Sequence, residues 1–205
     1  MATSPPNSET ASHSQTPGRS AVCPWWLLPT FDNPLRRLIQ NPHRILIEWV
    51  RPGDTVVDLG CGMGYFSIPM ARMASPGGKV ICIDVQQQML DGLRWRAEKA
   101  GVLHTITMRR CEPTRLDIPE PADFVLAFWM LHEVPDQAGF LAEVQAHLKP
   151  AGRFLLVEPV GHVGSTAFQR SVATAEQVGL VVTGKPAVMA SRSVLFAAKP
   201  PAGSS

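Results

Sequence analysis

The residues best suited to chemistry fall in one short run. Val56-Val57-Asp58-Leu59-Gly60-Cys61-Gly62-Met63-Gly64-Tyr65-Phe66 ends an apolar stretch in an acid and follows it with three glycines at alternate positions. This pattern predicts a buried strand, a tight turn and the start of a helix. Glycine gives the turn its φ freedom, and the missing Cβ lets a ligand touch the backbone. Amides at a helix start, aided by the helix dipole, favour an anionic or polar group. The run therefore predicts a cofactor cradle. A second acid, Asp84, closes the apolar run Val80-Ile81-Cys82-Ile83, 20 residues beyond Gly64. A carboxylate at that spacing can accept both hydroxyls of a ribose. Alone it would be a solvated loop acid, and the glycine loop upstream favours the ribose.

Further polar side chains follow later apolar runs. His132 comes after Phe128-Trp129-Met130-Leu131, and Glu158 and His162 come after the run from Arg153. His132 is the candidate general base, against the plainer reading of a packed or capping histidine. Glu158 and His162 are candidates at the same rim. No two of these residues show a dedicated metal-ligand spacing, so no metal is expected.

Strands and helices alternate to position these groups. Thr55–Leu59, Lys79–Val85, His104–Arg109, Ala122–Trp129 and Arg153–Glu158 read as strands. Tyr65–Ala74, Gln87–Ala100, Asp136–Leu148 and Thr166–Gln177 read as helices. Lys149-Pro150-Ala151-Gly152 reads as a turn, and Leu180–Thr183 with Val194–Ala198 as a last, antiparallel pair. Continuous Val/Ile/Leu runs indicate strands covered on both faces. Their alternation with helices indicates an α/β fold, a doubly wound, mostly parallel sheet. Ligands of such sheets bind beyond the carboxyl ends of the strands, where all the groups above fall.

Asn41-Pro42 and Asn33-Pro34 read as helix starts, with Asn as cap and Pro in the first turn. Ile45, Leu46, Trp49 and Val50 share a face of the second helix. Residues 1–20, rich in Ser, Thr, Pro and Gly, are expected to be a disordered tail. Residues 21–50 form an N-terminal segment and residues 51–200 the cofactor-binding domain.

The 205 residues suit one domain with a real core, at 45% apolar and 18% charged. A net charge of +2 gives no electrostatic argument for nucleic acid or an anionic membrane. Cys23, Cys61, Cys82 and Cys111 are scattered, which predicts reduced thiols. With no signal-peptide pattern and no run of about 20 apolar residues, a cytoplasmic protein is expected.

The equal glycine gaps, preceded by Asp58, depart from the G-x-G-x-x-G dinucleotide fingerprint. They resemble motif I of the class I S-adenosylmethionine (SAM) dependent methyltransferases. Asp84 matches that family's ribose acid, and Glu112 the acidic position that meets the adenine amine, where Asp or Asn is usual. Ala127-Phe128-Trp129-Met130-Leu131-His132-Glu133-Val134 resembles its motif after strand four. Leu141-x-Glu143-Val144-x-x-x-Leu148-Lys149-Pro150-x-Gly152 resembles its helix and turn before strand five. The resemblance covers roughly residues 45–199. It implies a seven-stranded Rossmann-like methyltransferase fold with the last strand antiparallel, and SAM as cofactor. The backbone at Gly60, Cys61 and Gly62 would hold the methionine part, with Asp58 near its amino group and Gly64 also counted among the cofactor-binding residues. Val85 or Gln86 would pack on adenine, and Phe128 and Met130 would line the sulfonium side.

The implied activity is methylation of a small molecule, in general style close to the methyltransferases of quinone biosynthesis. Trp25, Trp26 and Phe31 would then form a lid for a flat or lipophilic acceptor, or only cover the sheet. Arg36 and Arg37 would meet an anionic acceptor or simply face solvent. The rivals are an NAD(P)-dependent oxidoreductase, disfavoured by the glycine gaps, and a non-catalytic SAM-binding protein. Nucleic-acid methylation is disfavoured because Phe128-Trp129-Met130-Leu131 stands where Asn-Pro-Pro-aromatic would be needed.

Overall fold

In the computed structural model of the protein the described residues are 40–199. The helices are α1 (Pro42–Leu46), α2 (Ser67–Ala74), α3 (Gln87–Lys99), α4 (Gln137–Ala146) and α5 (Ser165–Gln177). The strands are β1 (Thr55–Leu59), β2 (Lys79–Asp84), β3 (Ile106–Arg110), β4 (Ala122–Phe128), β5 (Leu148–Pro159), β6 (Leu180–Gly184) and β7 (Ser191–Ala198). They form one seven-stranded sheet in the order β3-β2-β1-β4-β5-β7-β6. Six strands run the same way. Only β7 opposes its neighbours, pairing antiparallel with both β5 and β6. The fold class expected from the sequence is the one observed.

Successive residues of a strand face opposite sides of a sheet. Val57, Leu59, Ile81, Ile83, Val125, Ala127, Phe154 and Leu156 pack with α4 and α5 through Phe140, Leu141, Val144, Phe168 and Val172. Val56, Val80, Cys82, Phe124, Leu126, Leu155 and Val157 pack on the other side with α2 and α3 through Met70, Ala71, Leu90 and Leu93. Both faces are therefore dry, which explains why the strands carry no polar alternation. Leu46 and Val50 of the α1 segment are buried in the second cluster. Asn41 caps α1, its side chain accepting from the His43 amide at 3.0 Å.

Four local expectations are corrected. The helix expected from Tyr65 begins at Ser67, because the residues before it continue the turn of the glycine loop. A 3₁₀ turn over Leu103–Thr105 precedes β3, which starts at Ile106. The helix expected to reach Leu148 stops at Ala146, and Leu148 opens β5. Lys149–Gly152, expected as a turn, lies within β5 as a bulge between the pairs Ala122–Leu148 and Phe124–Arg153. A Cβ on Gly152 would stand 2.7 Å from the Ala122 carbonyl, so the bulge can close only on glycine.

The chain leaves β1 toward β2 and β3, then returns to the other side of β1 for β4 and β5. This reversal opens a crevice at the carboxyl ends of β1 and β4.

Candidate active site

A cleft of about 1060 Å³ occupies that crevice. Asp58, Gly60, Cys61, Gly62, Asp84, Val85, Glu112, Phe128 and His132 all line it. Gly64 does not. Its φ is +86°, and a Cβ there would lie 2.3 Å from Leu93 of α3. The third glycine seats the loop against a helix. Cys23, Trp25, Trp26, Phe31, Arg36 and Arg37 lie outside the described residues.

The glycine loop differs from expectation in where its amides point. Gly60 and Cys61 donate to the Ile83 carbonyl at 2.9 and 3.2 Å, and Gly64 donates to Cys61 at 3.0 Å. Gly62 donates to Oδ2 of Asp84 at 2.9 Å. The amides of Gly60, Cys61 and Gly62 fasten the loop to β2, and that of Gly64 closes the loop on itself. The loop meets the cleft through its bare Cα surface instead. Gly62 has φ +52° and open space where a Cβ would sit.

Asp84 is 7% exposed, and its Oδ1 accepts from the Gln86 amide at 2.9 Å. Burial raises its pKa, while the amides of Gln86, Gly62 and Val85 oppose the rise. An ionised carboxylate has about four acceptor sites, so these amides leave acceptor capacity for a further hydroxyl.

Asp58 sits beneath the loop at 2% exposure, accepting from the Ser67 hydroxyl at 2.5 Å. Burial pushes its pKa up from 3.8 to about 7; the Ser67 bond opposes this, and Asp84 adds repulsion. A buried acid of this kind takes up a cation by becoming charged. If the ammonium of an amino acid binds beside it, affinity should fall by up to about tenfold per pH unit below pH ~7. Calorimetry with SAM between pH 5 and 8 checks this, and a flat profile would remove Asp58 from ammonium binding. The same shift acts on folding. The folded-state value is raised, so this contribution is fully present below the ordinary value of 3.8 and is lost as pH rises toward about 7.

Glu112, after β3, also lines the cleft and is exposed. The segment after it is held by Glu143 of α4, whose carboxylate accepts from the amides of Leu116 at 2.9 Å and Ile118 at 3.1 Å. Sequence reasoning used Glu143 only as part of a helix pattern. Its role as the clamp of the Glu112 loop needed the fold.

The strand-four end supplies the apolar wall. Phe128 packs on Phe66 with ring centroids 4.3 Å apart and on Trp129 at 5.5 Å. Trp129 has φ +60°, an uncommon conformation for a bulky residue. Its amide donates to Val157 at 2.8 Å and its indole N–H to Ser191 at 3.0 Å. The held, left-handed residue turns the chain so that Met130 and His132 face the cleft.

His132 and Glu158 form one unit. Nδ1 of His132 lies 2.6 Å from Oε2 of Glu158, and the His132 amide donates to Oε1 at 3.1 Å. Glu158 is only 2% exposed, whereas the His132 side chain is 27% exposed. A carboxylate accepts, so the Nδ1 proton belongs to this bond and Nε2 keeps the lone pair of the neutral ring. The hydrogen bond to Glu158 raises the His132 pKa above 6.5, and burial works against it. His162 stands nearby, its ring centroid 6.3 Å from that of His132.

Cys61, Cys82 and Cys111 are buried free thiols. Burial pushes Cys111 up to about 11, which makes it a poor thiolate source. Among the described residues no helix is long and apolar enough to cross a membrane.

The wall fits SAM: a fixed acid with acceptor capacity left over, a bare glycine, a second buried acid, and apolar faces at Val85, Met89 and Phe128.

Comparison with known proteins points the same way. A family model described as a methyltransferase domain matches residues 56–152. A demethylmenaquinone methyltransferase of Symbiobacterium thermophilum is 33% identical over 109 residues, 53% of this chain and 43% of that protein. A ubiquinone biosynthesis O-methyltransferase of Paramagnetospirillum magneticum is 38% identical over 146 residues, 64% of this chain and 56% of that protein. The matched region thus spans about half the length of these relatives. In fold, a SAM-dependent methyltransferase from Aquifex aeolicus superposes with a TM-score of 0.74 at 23% identity, covering 84% of this chain and 97% of that one. The matched sequence contains the glycine loop, Asp84 and the strand-four end, and the sheet order places all three on one cleft. Residues 56–152 thus match a methyltransferase domain, and the chain resembles the class I S-adenosylmethionine-dependent methyltransferases in sequence and in fold.

Proposed function

We propose that this protein transfers a methyl group from SAM to a hydroxyl of a small, largely apolar or aromatic acceptor, with His132 as general base. The observation that carries this reading is the buried Glu158 holding His132 on the wall that also bears Asp58, Gly62 and Asp84. Bound SAM would supply an activated methyl on a positively charged sulfur with a neutral leaving group. Little covalent help is then required, and positioning supplies much of the rate. Asp84 would fix the ribose, Asp58 the ammonium, and Phe128 and Met130 would exclude water around the sulfur. Glu112 and Val85 would border the adenine. His132 would take the acceptor proton on Nε2 while Glu158 keeps the ring oriented.

Two relatives named for quinone pathways support an aromatic acceptor, as do the apolar side chains of Phe128, Trp129, Val134 and Phe140 around His132. The modest net charge supports a small acceptor over a nucleic acid, and the free thiols support a cytoplasmic setting.

Calorimetry with SAM, S-adenosylhomocysteine and NAD separates the cofactor readings. Binding of the first two without NAD is expected. Tight NAD binding with no SAM binding would overturn the proposal. A screen of phenolic acceptors with mass detection should then show gain of one methyl. SAM binding without transfer to any phenol would leave a binding protein in place of an enzyme.

A further inference from the structure

His132 lines a second cavity as well. A recess of about 240 Å³ lies between α4, α5 and the loop after β5, walled by His132, His162, Gln137, Arg170, Ser171 and Thr174. His132 and His162 also line the main cleft, so the two spaces meet at the imidazoles. Among the described residues no carboxylate lines the recess. Glu158 lies buried and engaged with His132. Glu133, at 4.0 Å from Nε2 of His132, lines the main cleft instead.

The polar floor is already tied together. Ser171 donates to Oε1 of Gln137 at 2.7 Å, and Gln137 donates to the Leu131 carbonyl at 3.1 Å. Thr174 donates to the Arg170 carbonyl at 3.0 Å. Arg192 brings a further positive charge behind the wall, donating to the Val163 carbonyl. Arg170 and the two imidazoles line this small space; His132 is already paired with Glu158, whereas Arg170 and His162 are exposed. An arginine fork matches a carboxylate in two parallel hydrogen bonds. The recess has room for that group and part of a ring, since a water's share of liquid is about 30 Å³.

We propose that this recess is the acceptor's anion subsite, in which Arg170, with His162, binds a carboxylate while the acceptor's hydroxyl lies against His132. The substrate class is therefore a hydroxy-aryl carboxylic acid, an assignment that rests on the methyl-transfer reading above. Arg170 is a specificity-determining residue here and takes no part in proton transfer.

The test uses 3,4-dihydroxybenzoate and its neutral isostere 3,4-dihydroxybenzamide, titrated into the full chain with S-adenosylhomocysteine present. The acid is expected to bind the wild type about tenfold or more tightly than the amide, as a charge-assisted pair should. Arg170→Gln should bring the ratio to about one, and Arg170→Lys should keep part of it. S-adenosylhomocysteine affinity should be unchanged in both variants, which shows that they fold. Equal binding of acid and amide by the wild type, no binding of either, or a ratio untouched by Arg170→Gln would overturn the subsite. Methylation of neutral phenols with no preference for the acid would sink the subsite alone. A preserved acid preference in a chain that binds no SAM would sink the methyl-transfer reading alone.

Discussion

His132→Ala is expected to lower kcat by about 10²–10⁴-fold while SAM binds as tightly as before. The imidazole is the proposed base, and its orientation is set from behind by a carboxylate that is 2% exposed and 2.6 Å away. Removing it takes away the proton acceptor and leaves the glycine loop, Asp58 and Asp84 untouched. The pH profile carries a second signature. The base works unprotonated, and Glu158 holds its pKa above 6.5, so activity should rise with pH through a midpoint above that value. Glu158→Gln removes the charge and should move the midpoint downward, with a lower plateau because the ring is less basic. Stability should respond in the opposite sense. The raised folded-state pKa makes the pair's contribution complete below the ordinary value and lost as pH rises through the higher one. Wild-type turnover in His132→Ala would show that the histidine only packs against Glu158.

Asp84→Ala should weaken SAM binding by about 1–3 kcal/mol for the lost ribose contact. A further loss is expected because this carboxylate also builds the site. It accepts from Gly62 at 2.9 Å and from Gln86 at 2.9 Å. Removing it leaves two amides unpaired at the base of the cleft, at about 1–3 kcal/mol each if water cannot reach them. The combined effect should reach at least about 100-fold in Kd, with a lower Tm of the unliganded protein. Asp84→Asn separates the two roles. Its one carbonyl oxygen can keep one amide, while its NH₂ would face the other amide as a second donor. Calorimetry and thermal unfolding on both variants read these terms apart. Unchanged SAM affinity in Asp84→Ala would remove the ribose assignment.

The two predictions concern residues of unequal legibility. Asp84 was readable because its position follows from two local facts, an apolar strand and a glycine loop at fixed spacing. His132 was readable only as a histidine beyond a strand. Its partner Glu158 lies 26 positions away. What joins them is the parallel pairing of β4 and β5, with Phe128 level with Val157. A register shift of one residue would turn the Glu158 side chain to the opposite face of the sheet. The clamp by Glu143 and the recess under Arg170 have the same origin, since each needs helices placed against the sheet by long-range packing.

Sequence alone determined the strands, the doubly wound class, the reversed last strand and the cofactor loop, because strand burial on two faces and glycine geometry leave a local imprint. It also placed the site at the carboxyl ends of the strands. Tertiary structure decided what the local pattern left open. The loop amides serve β2, because a tight turn beside a parallel strand meets that strand's carbonyl and carboxylate first. Gly64 is a packing glycine because α3 puts Leu93 where a Cβ would go. Lys149–Gly152 stays inside β5 because the neighbouring strand holds both sides of the bulge. Each outcome depends on which chain segment lies alongside, and neighbours distant in sequence are chosen by packing of the whole sheet.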